Sequence, residues 1–172
     1  MNTEFTVAVR DLVSFCHRSG DIDHRFTPSP TGTQGIEGHQ RVYRRRGETY
    51  RSEFPVEYRC NSANSAVLIR GRADGYDPKH GVVEEIKTCR IAVADIPEPI
   101  SRMHMAQARI YGAMICRQEN LAALEVRLTW LNIDTDEEAT LSQTYSKEEL
   151  LDFLHDTLDR FSAWLQALTD IR

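Results

Sequence analysis

Two runs of apolar, largely β-branched residues carry charges that a sheet interior does not tolerate unpaired, and this restricts the chain more than any other feature. Val67-Leu68-Ile69 leads through Gly71-Arg72-Ala73 to Asp74, and Val82-Val83 leads into Glu84-Glu85-Ile86-Lys87-Thr88. A polar turn around Pro78 and Lys79 separates them, so the pair reads as a β-hairpin. Side chains alternate along a strand, which puts Glu85 and Lys87 on one face and Ile86 on the other. With the turn centred near Pro78 and Lys79, Asp74 is expected opposite Val83 and diagonal to Glu85. Diagonal neighbours lie roughly 7 Å apart, within reach of one shared divalent cation. Carboxylates and an amine set among apolar residues are costly unless they are paired or bind a metal. Asp74, Glu85 and Lys87 are therefore candidates for metal-assisted hydrolysis of a phosphodiester, with Glu84 as the competing acid that faces away.

The 172 residues suffice for one domain with a real core and not for two, so residues 1–172 are expected to form a single domain. No apolar run approaches a membrane span, and Met1-Asn2-Thr3-Glu4-Phe5 lacks the features of a secretory leader, which makes the cytoplasm the expected compartment and a membrane an unexpected partner. Cys16, Cys60, Cys89 and Cys116 are scattered with no C-x-x-C pair, which argues against a zinc ribbon and a locally ligated iron–sulfur cluster. The net charge of −5 disfavours a nucleic-acid coat protein. Its distribution is uneven, however: Arg41, Arg44, Arg45, Arg46 and Arg51 form a basic run, while the acids concentrate in the last third. That polarity suits either one basic face for a phosphate backbone or a solvated helix with ordinary ion pairs.

Phe5, Val9, Leu12, Val13 and Cys16 recur at helical spacing and predict a first helix that stops at Gly20. The turn-rich stretch 21–33 is expected to wander. A second helix is predicted over 34–46, strands over 49–59, 66–74 and 81–88, and a long helix over 98–118 opened by Pro97-Glu98-Pro99. Strands over 124–133 and 139–145 follow, and the capping box Ser146-Lys147-Glu148-Glu149 starts a final helix to about 168. An antiparallel meander with flanking helices and a later strand pair makes an α/β sandwich.

Two further groups fall where a hydrolytic site would need them. Gly35-Ile36-Glu37-Gly38-His39 offers an imidazole on a helix whose glycines permit close approach to the sheet. Gln107 and Tyr111, four apart on the long helix, project from one face and could touch a phosphate or orient a carboxylate. Each alone is ordinary: a surface histidine and an amphipathic helix.

In order, G-x-x-x-H at 35–39, Asp74, Glu85-Ile86-Lys87 and Q-x-x-x-Y at 107–111 resemble the RecB-like branch of the PD-(D/E)XK nuclease superfamily. Val9-Arg10-Asp11-Leu12-Val13-Ser14-Phe15, with Arg18-Ser19-Gly20-Asp21-Ile22-Asp23, is similar to the start of nuclease domains fused ahead of DinG/XPD-type DNA helicases. The resemblance implies a restriction-endonuclease-like α/β core, a mixed central sheet flanked by helices. It implies a metal-dependent deoxyribonuclease leaving 5′-phosphates, of exonuclease type in DNA repair, recombination or helicase-linked processing. Asp74, Glu85, His39 and the Ile86 carbonyl would hold Mg²⁺ or Mn²⁺, Lys87 would position water, and Gln107 and Tyr111 would hold the strand. Arg41, Arg44 and Arg45 would join Gln107 and Tyr111 in binding DNA, single-stranded or with free ends. A helicase domain in cis is the implied further partner, although no G-x-x-x-x-G-K-[ST] loop occurs in the chain. The cysteines that cluster after Q-x-x-x-Y in cluster-bearing relatives are absent except for Cys116, so no iron–sulfur cluster is expected, and Ala73 stands where the family usually has proline. The rival readings are an inactive DNA-binding or interaction module of the same fold, a scaffold with accidental motifs, and another hydrolase with the same metal site.

Overall fold

The structure is a computed structural model describing residues 3–17, 29–62 and 65–171. Its elements in chain order are β1 (Thr3–Ala8), α1 (Val9–Cys16), α2 (Gly32–Arg44), β2 (Arg51–Ser62), β3 (Ser65–Asp77) and β4 (Val82–Cys89). A 3-10 turn (Val93–Asp95), α3 (Glu98–Gln118), β5 (Ala123–Asn132), β6 (Glu138–Ser146) and α4 (Lys147–Asp170) complete it. Among the described residues, six strands form one mixed sheet in the order β1-β3-β4-β5-β6, with β2 paired to β3 outside that path. β1 on β3 and β4 on β5 are parallel; β2 on β3, β3 on β4 and β5 on β6 are antiparallel. The expected α/β architecture, a mixed sheet flanked by helices, is present.

The first element differs from the sequence expectation. Thr3–Ala8 is a strand, and the helix begins only at Val9. Phe5 and Val7 alternate with Thr6 and Ala8, and the helical recurrence of Phe5 with Val9 is overridden by pairing along β3 from Thr3↔Ser65 to Ala8↔Arg70. The expected stop at Gly20, and most of the wandering stretch, lie outside the described residues. α2 starts earlier than expected because Thr31 caps it, its hydroxyl accepting from the Gln34 amide while Gln34 Oε1 accepts from the Thr31 amide.

α1, α3 and α4 share one core on one face of the sheet, where Val9, Leu12, Ile110, Met114, Leu150 and Leu154 meet Val67, Ile69, Val83 and Val126. Among the described residues α2 alone covers the other face, where Val42 packs on Ile86 and Leu131. Gly38 is what lets α2 approach: a Cβ there would run into Thr88 Cγ2. Alternation along β4 therefore sends Val83 and Cys89 to the α3 side and Ile86 to the α2 side.

The sheet contains a fork. β2 occupies one edge of β3 from Ser65 to Tyr76, so β1 and β4 must share the other. β1 pairs with β3 only as far as Arg70, and β4 joins only at Gly75↔Glu84, which among the described residues leaves 71–74 of β3 without a strand on that edge. The register also differs from expectation. Val83 lies opposite Tyr76, not Asp74, because the loop holds residues 78–81 with the Gly81 amide bonded to the Asp77 carbonyl. Asp74 thus falls one step beyond the last ladder pair, at the mouth of the fork. No helix among the described residues is long and apolar enough to cross a membrane.

Candidate functional site

At the fork, backbone groups that a sheet would pair are left to side chains. Asp74 takes over one of them: its Oδ2 accepts from the Ile86 amide at 2.7 Å. Its Oδ1 faces His39 Nδ1, on α2, at 3.7 Å. From the adjoining strand Glu85 Oε1 lies 3.1 Å from Lys87 Nζ. The acid of β3, the acid and amine of β4 and the imidazole of α2 are thereby brought together. Opposite Asp74 the ladder between β2 and β3 skips a pair, and Glu53 there adopts a left-handed φ of 52°. Such a conformation is costly in a non-glycine residue and persists only where surrounding structure imposes it.

Glu85 is only 2 % exposed, and among the described residues its Oε2 has no hydrogen-bond partner. Burial first, and then the charge of Asp74, push its carboxyl up to about 8, against the opposing pull of Lys87. The folded protein consequently keeps a proton on Glu85 at pH values where the unfolded chain has lost it. The stability this contributes is complete below the ordinary glutamate range and is lost as pH rises towards about 8. In EDTA, Glu85→Gln is expected to be more stable than the wild type above pH 8, and to lose that segment of the pH profile. Urea melts at pH 5, 7 and 9 measure it, and a wild-type-like slope in the variant contradicts the assignment.

The orphaned oxygen beside a second carboxylate is also what a cation site requires. No group of three His, Cys, Asp or Glu side chains among the described residues encloses a metal position, since Glu85 leans on Lys87 and His39 stands back from Asp74. The donors nevertheless fit a hard divalent ion: two carboxylates, an imidazole and a strand carbonyl at Ile86.

Gln107 and Tyr111 of α3 overlook the same fork. The Gln107 amide donates to the Tyr111 hydroxyl at 3.5 Å, and both residues are buried. Burial, followed by the charge of Glu85, pushes the phenol well above its usual range, with Asp74 adding to it and Arg10 opposing. Gly71 makes this possible, because a Cβ there would lie 2.9 Å from the Tyr111 ring. Tyr43, which meets the His39 ring edge-on, is also raised, by burial first and then by Asp74, Glu53 and Glu85. Tyr43 carried no signal in the sequence beyond standing four residues after His39.

Glu84 points to the α2 side and is fully satisfied. Arg46 grips it with two bonds of 2.9 and 2.8 Å, and Tyr50 and Thr129 add hydroxyls at 2.8 and 2.6 Å. Arg46 also reaches Glu138 of β6 at 2.6 Å. Two adjacent acids thus have opposite fates: Glu84 is neutralised in a closed network, whereas Glu85 keeps a free oxygen.

The basic run of α2 divides in the same way. Arg41 bonds the Ile133 carbonyl and Asp136, both at 3.3 Å, and Arg45 bonds Glu138 at 3.0 Å and also pairs with Asp136. Of Arg41, Arg44 and Arg45, Arg44 alone is exposed without such a pair among the described residues; Arg41 and Arg45 bind the β5–β6 turn and the start of β6 instead, because that acidic segment packs beside α2. All four cysteines are free thiols, with Cys89 and Cys116 fully buried. Burial raises Cys16, Cys89 and Cys116.

No protein-family profile matches the chain, and no curated protein matches it. Among solved structures it is similar to one described as "Crystal structure of SSO0001", with a TM-score of 0.57 and 20 % identity over 92 % of this chain and 77 % of that one. At that identity the likeness is one of fold alone.

Proposed function

We propose that the protein is a divalent-metal-dependent deoxyribonuclease of the RecB-like PD-(D/E)XK type, acting on DNA in the cytoplasm. The observation that carries this reading is Glu85: a buried carboxylate with an unpartnered oxygen, beside Asp74 and within 3.1 Å of Lys87, at a break in the sheet. A structural acid would be closed off as Glu84 is. Asp74, Glu85, His39 and the Ile86 carbonyl would hold Mg²⁺ or Mn²⁺. When bound, the ion supplies Lewis-acid activation of water and phosphate.

The chain's own residues do the rest. Lys87, 26 % exposed at its side chain, swings between Glu85 and the water it orients, and its charge offsets that developing on the phosphate. The amide and phenol of Gln107 and Tyr111 donate to phosphate oxygens of the strand held in the fork. Tyr111 stays a neutral donor because its ionisation is pushed far above neutral pH. Arg44 contributes to the DNA-facing charge, whereas Arg41 and Arg45 act by holding α2, and His39 with it, against the β5–β6 turn. The product would carry a 5′-phosphate, and a helicase partner in cis would supply single strands or free ends.

The test is a time course on end-labelled single- and double-stranded DNA with Mn²⁺, with Mg²⁺ and with EDTA, comparing the wild type with Lys87→Ala. Cleavage is expected only with a cation, and Lys87→Ala is expected to lower it at least about a hundredfold. Turnover in EDTA, or an unaffected Lys87→Ala, overturns the scheme. DNA binding without cleavage under every cation identifies an inactive module of the same fold.

A further inference from the structure

On the far side of α3 from Gln107 and Tyr111, a groove of about 440 Å³ opens between α3, α4, β6 and the end of α1. His17, Ser101, Met105, Arg109, Leu141 and Phe153 line it. Arg109 is the anomaly. Its guanidinium carbon lies 3.7 Å from the centre of the Phe153 ring and 5.0 Å from that of Tyr145, and its Nε is buried with no hydrogen-bond partner among the described residues. No carboxylate pairs with it among the described residues. The other charges in the groove cancel, since Arg102 bonds Glu98 at 2.6 Å. His17 adds none at neutral pH, because burial, then Arg160 and Arg109, hold its imidazole below the usual range while Thr157 bonds it at 2.6 Å. One partly buried cation is therefore left facing a groove whose other walls, beside Ser101, are the apolar Met105 and the half-exposed Leu141. A guanidinium held 3.7 Å over a ring centre keeps N–H donors free on its other edge, a fork suited to phosphate oxygens. The volume is that of a small-molecule site, and apolar walls suit a flat base.

We propose that this groove binds one nucleotide, its phosphate on Arg109 and its base against Met105 and Leu141. The ligand is either a free nucleoside 5′-monophosphate or one unit of a single strand. The inference is independent of the cleavage reading, since it involves none of Asp74, Glu85 and Lys87.

The experiment is calorimetric titration of the full chain in EDTA with deoxyadenosine 5′-monophosphate, deoxyadenosine, inorganic phosphate and an adenine octanucleotide. Proteins compared are the wild type, Arg109→Gln and Leu141→Glu. The monophosphate is expected to saturate one site at least tenfold more tightly than deoxyadenosine or phosphate, and both variants are expected to weaken it tenfold or more. Leu141→Glu changes an exposed strand residue, so it decides the question if Arg109→Gln fails to fold. An octanucleotide that binds more tightly than the monophosphate, with the same sensitivity to Leu141→Glu, identifies a strand as the source; the reverse order identifies the free nucleotide. No saturable binding, or equal affinity in the wild type and Leu141→Glu, overturns the proposal and leaves the nuclease reading as it was.

Discussion

Asp74→Ala is expected to lower metal-dependent cleavage by at least about a thousandfold while the protein still folds. Two losses combine at the fork. The carboxylate is one of two acids available to a cation, and it also fixes β4 by accepting from the Ile86 amide at 2.7 Å. The fold survives because Asp74 stands at the mouth of the fork with its side chain partly exposed, so water can reach the Ile86 amide it leaves; without the Asp74 charge, the Glu85 carboxyl also moves back towards its ordinary range. Asp74→Asn separates the two effects. An amide oxygen still accepts from Ile86, so the backbone is restored, whereas the charge is not. Both variants should be cleavage-deficient, with Asn the more stable in urea. Wild-type rates in Asp74→Ala remove Asp74 from the mechanism, and cleavage lost in Asp74→Ala but rescued in Asp74→Asn would make its role one of backbone support.

Arg46→Ala is expected to cause the largest loss of stability of any single change around the site, roughly 3–5 kcal/mol. The reason is what it leaves behind: Glu84, 1 % exposed, would keep two hydroxyl donors but lose its counter-ion. In a domain of this size that corresponds to a melting temperature lower by about 10 °C. Glu84→Gln with Arg46→Ala should recover part of the loss, since the uncompensated charge is gone, and denaturant melts of the single and double variants measure the coupling. A single variant within experimental error of the wild type would mean that the network contributes nothing. The same link matters for the site, because Arg46 follows α2 directly and ties it to β4 and β6, so His39 depends on it for its distance from Asp74.

What the sequence made legible follows from how local each signal is. α3 spans the predicted 98–118 because Pro97 and Pro99 set its start within two residues. α4 begins where Ser146 and Glu149 cap each other. Glu85 and Lys87 on one strand face required only the period of two. The parallel pairing of β1 was not legible, since a six-residue strand that pairs with residues some sixty positions away has no local mark to set against a helical recurrence of Phe5 and Val9. The partners of Arg41, Arg45 and Arg46 were invisible for the same reason: their acids lie about ninety residues on, in the β5–β6 turn and at the start of β6, except for Glu84. The hairpin register depended on the number of loop residues, which Pro78 and Lys79 alone did not determine.

That loop has a consequence for the whole arrangement. Asp77 clasps it, accepting from the Lys79 and His80 amides and from the Thr49 hydroxyl, while Gly81 takes a φ of 66° that closes the bend. Adding or removing one residue between Pro78 and Gly81 would slide β4 by a single step and exchange its two inward surfaces. An added residue would bring Glu84 to the fork, a removed one would drive Glu85 against Tyr50 and Arg46, and either change would turn Lys87 away from Asp74. The bend is therefore a gauge of length: an exposed tetrapeptide, remote from any chemistry, decides which of two neighbouring glutamates is held in reserve and which is spent on holding the protein together.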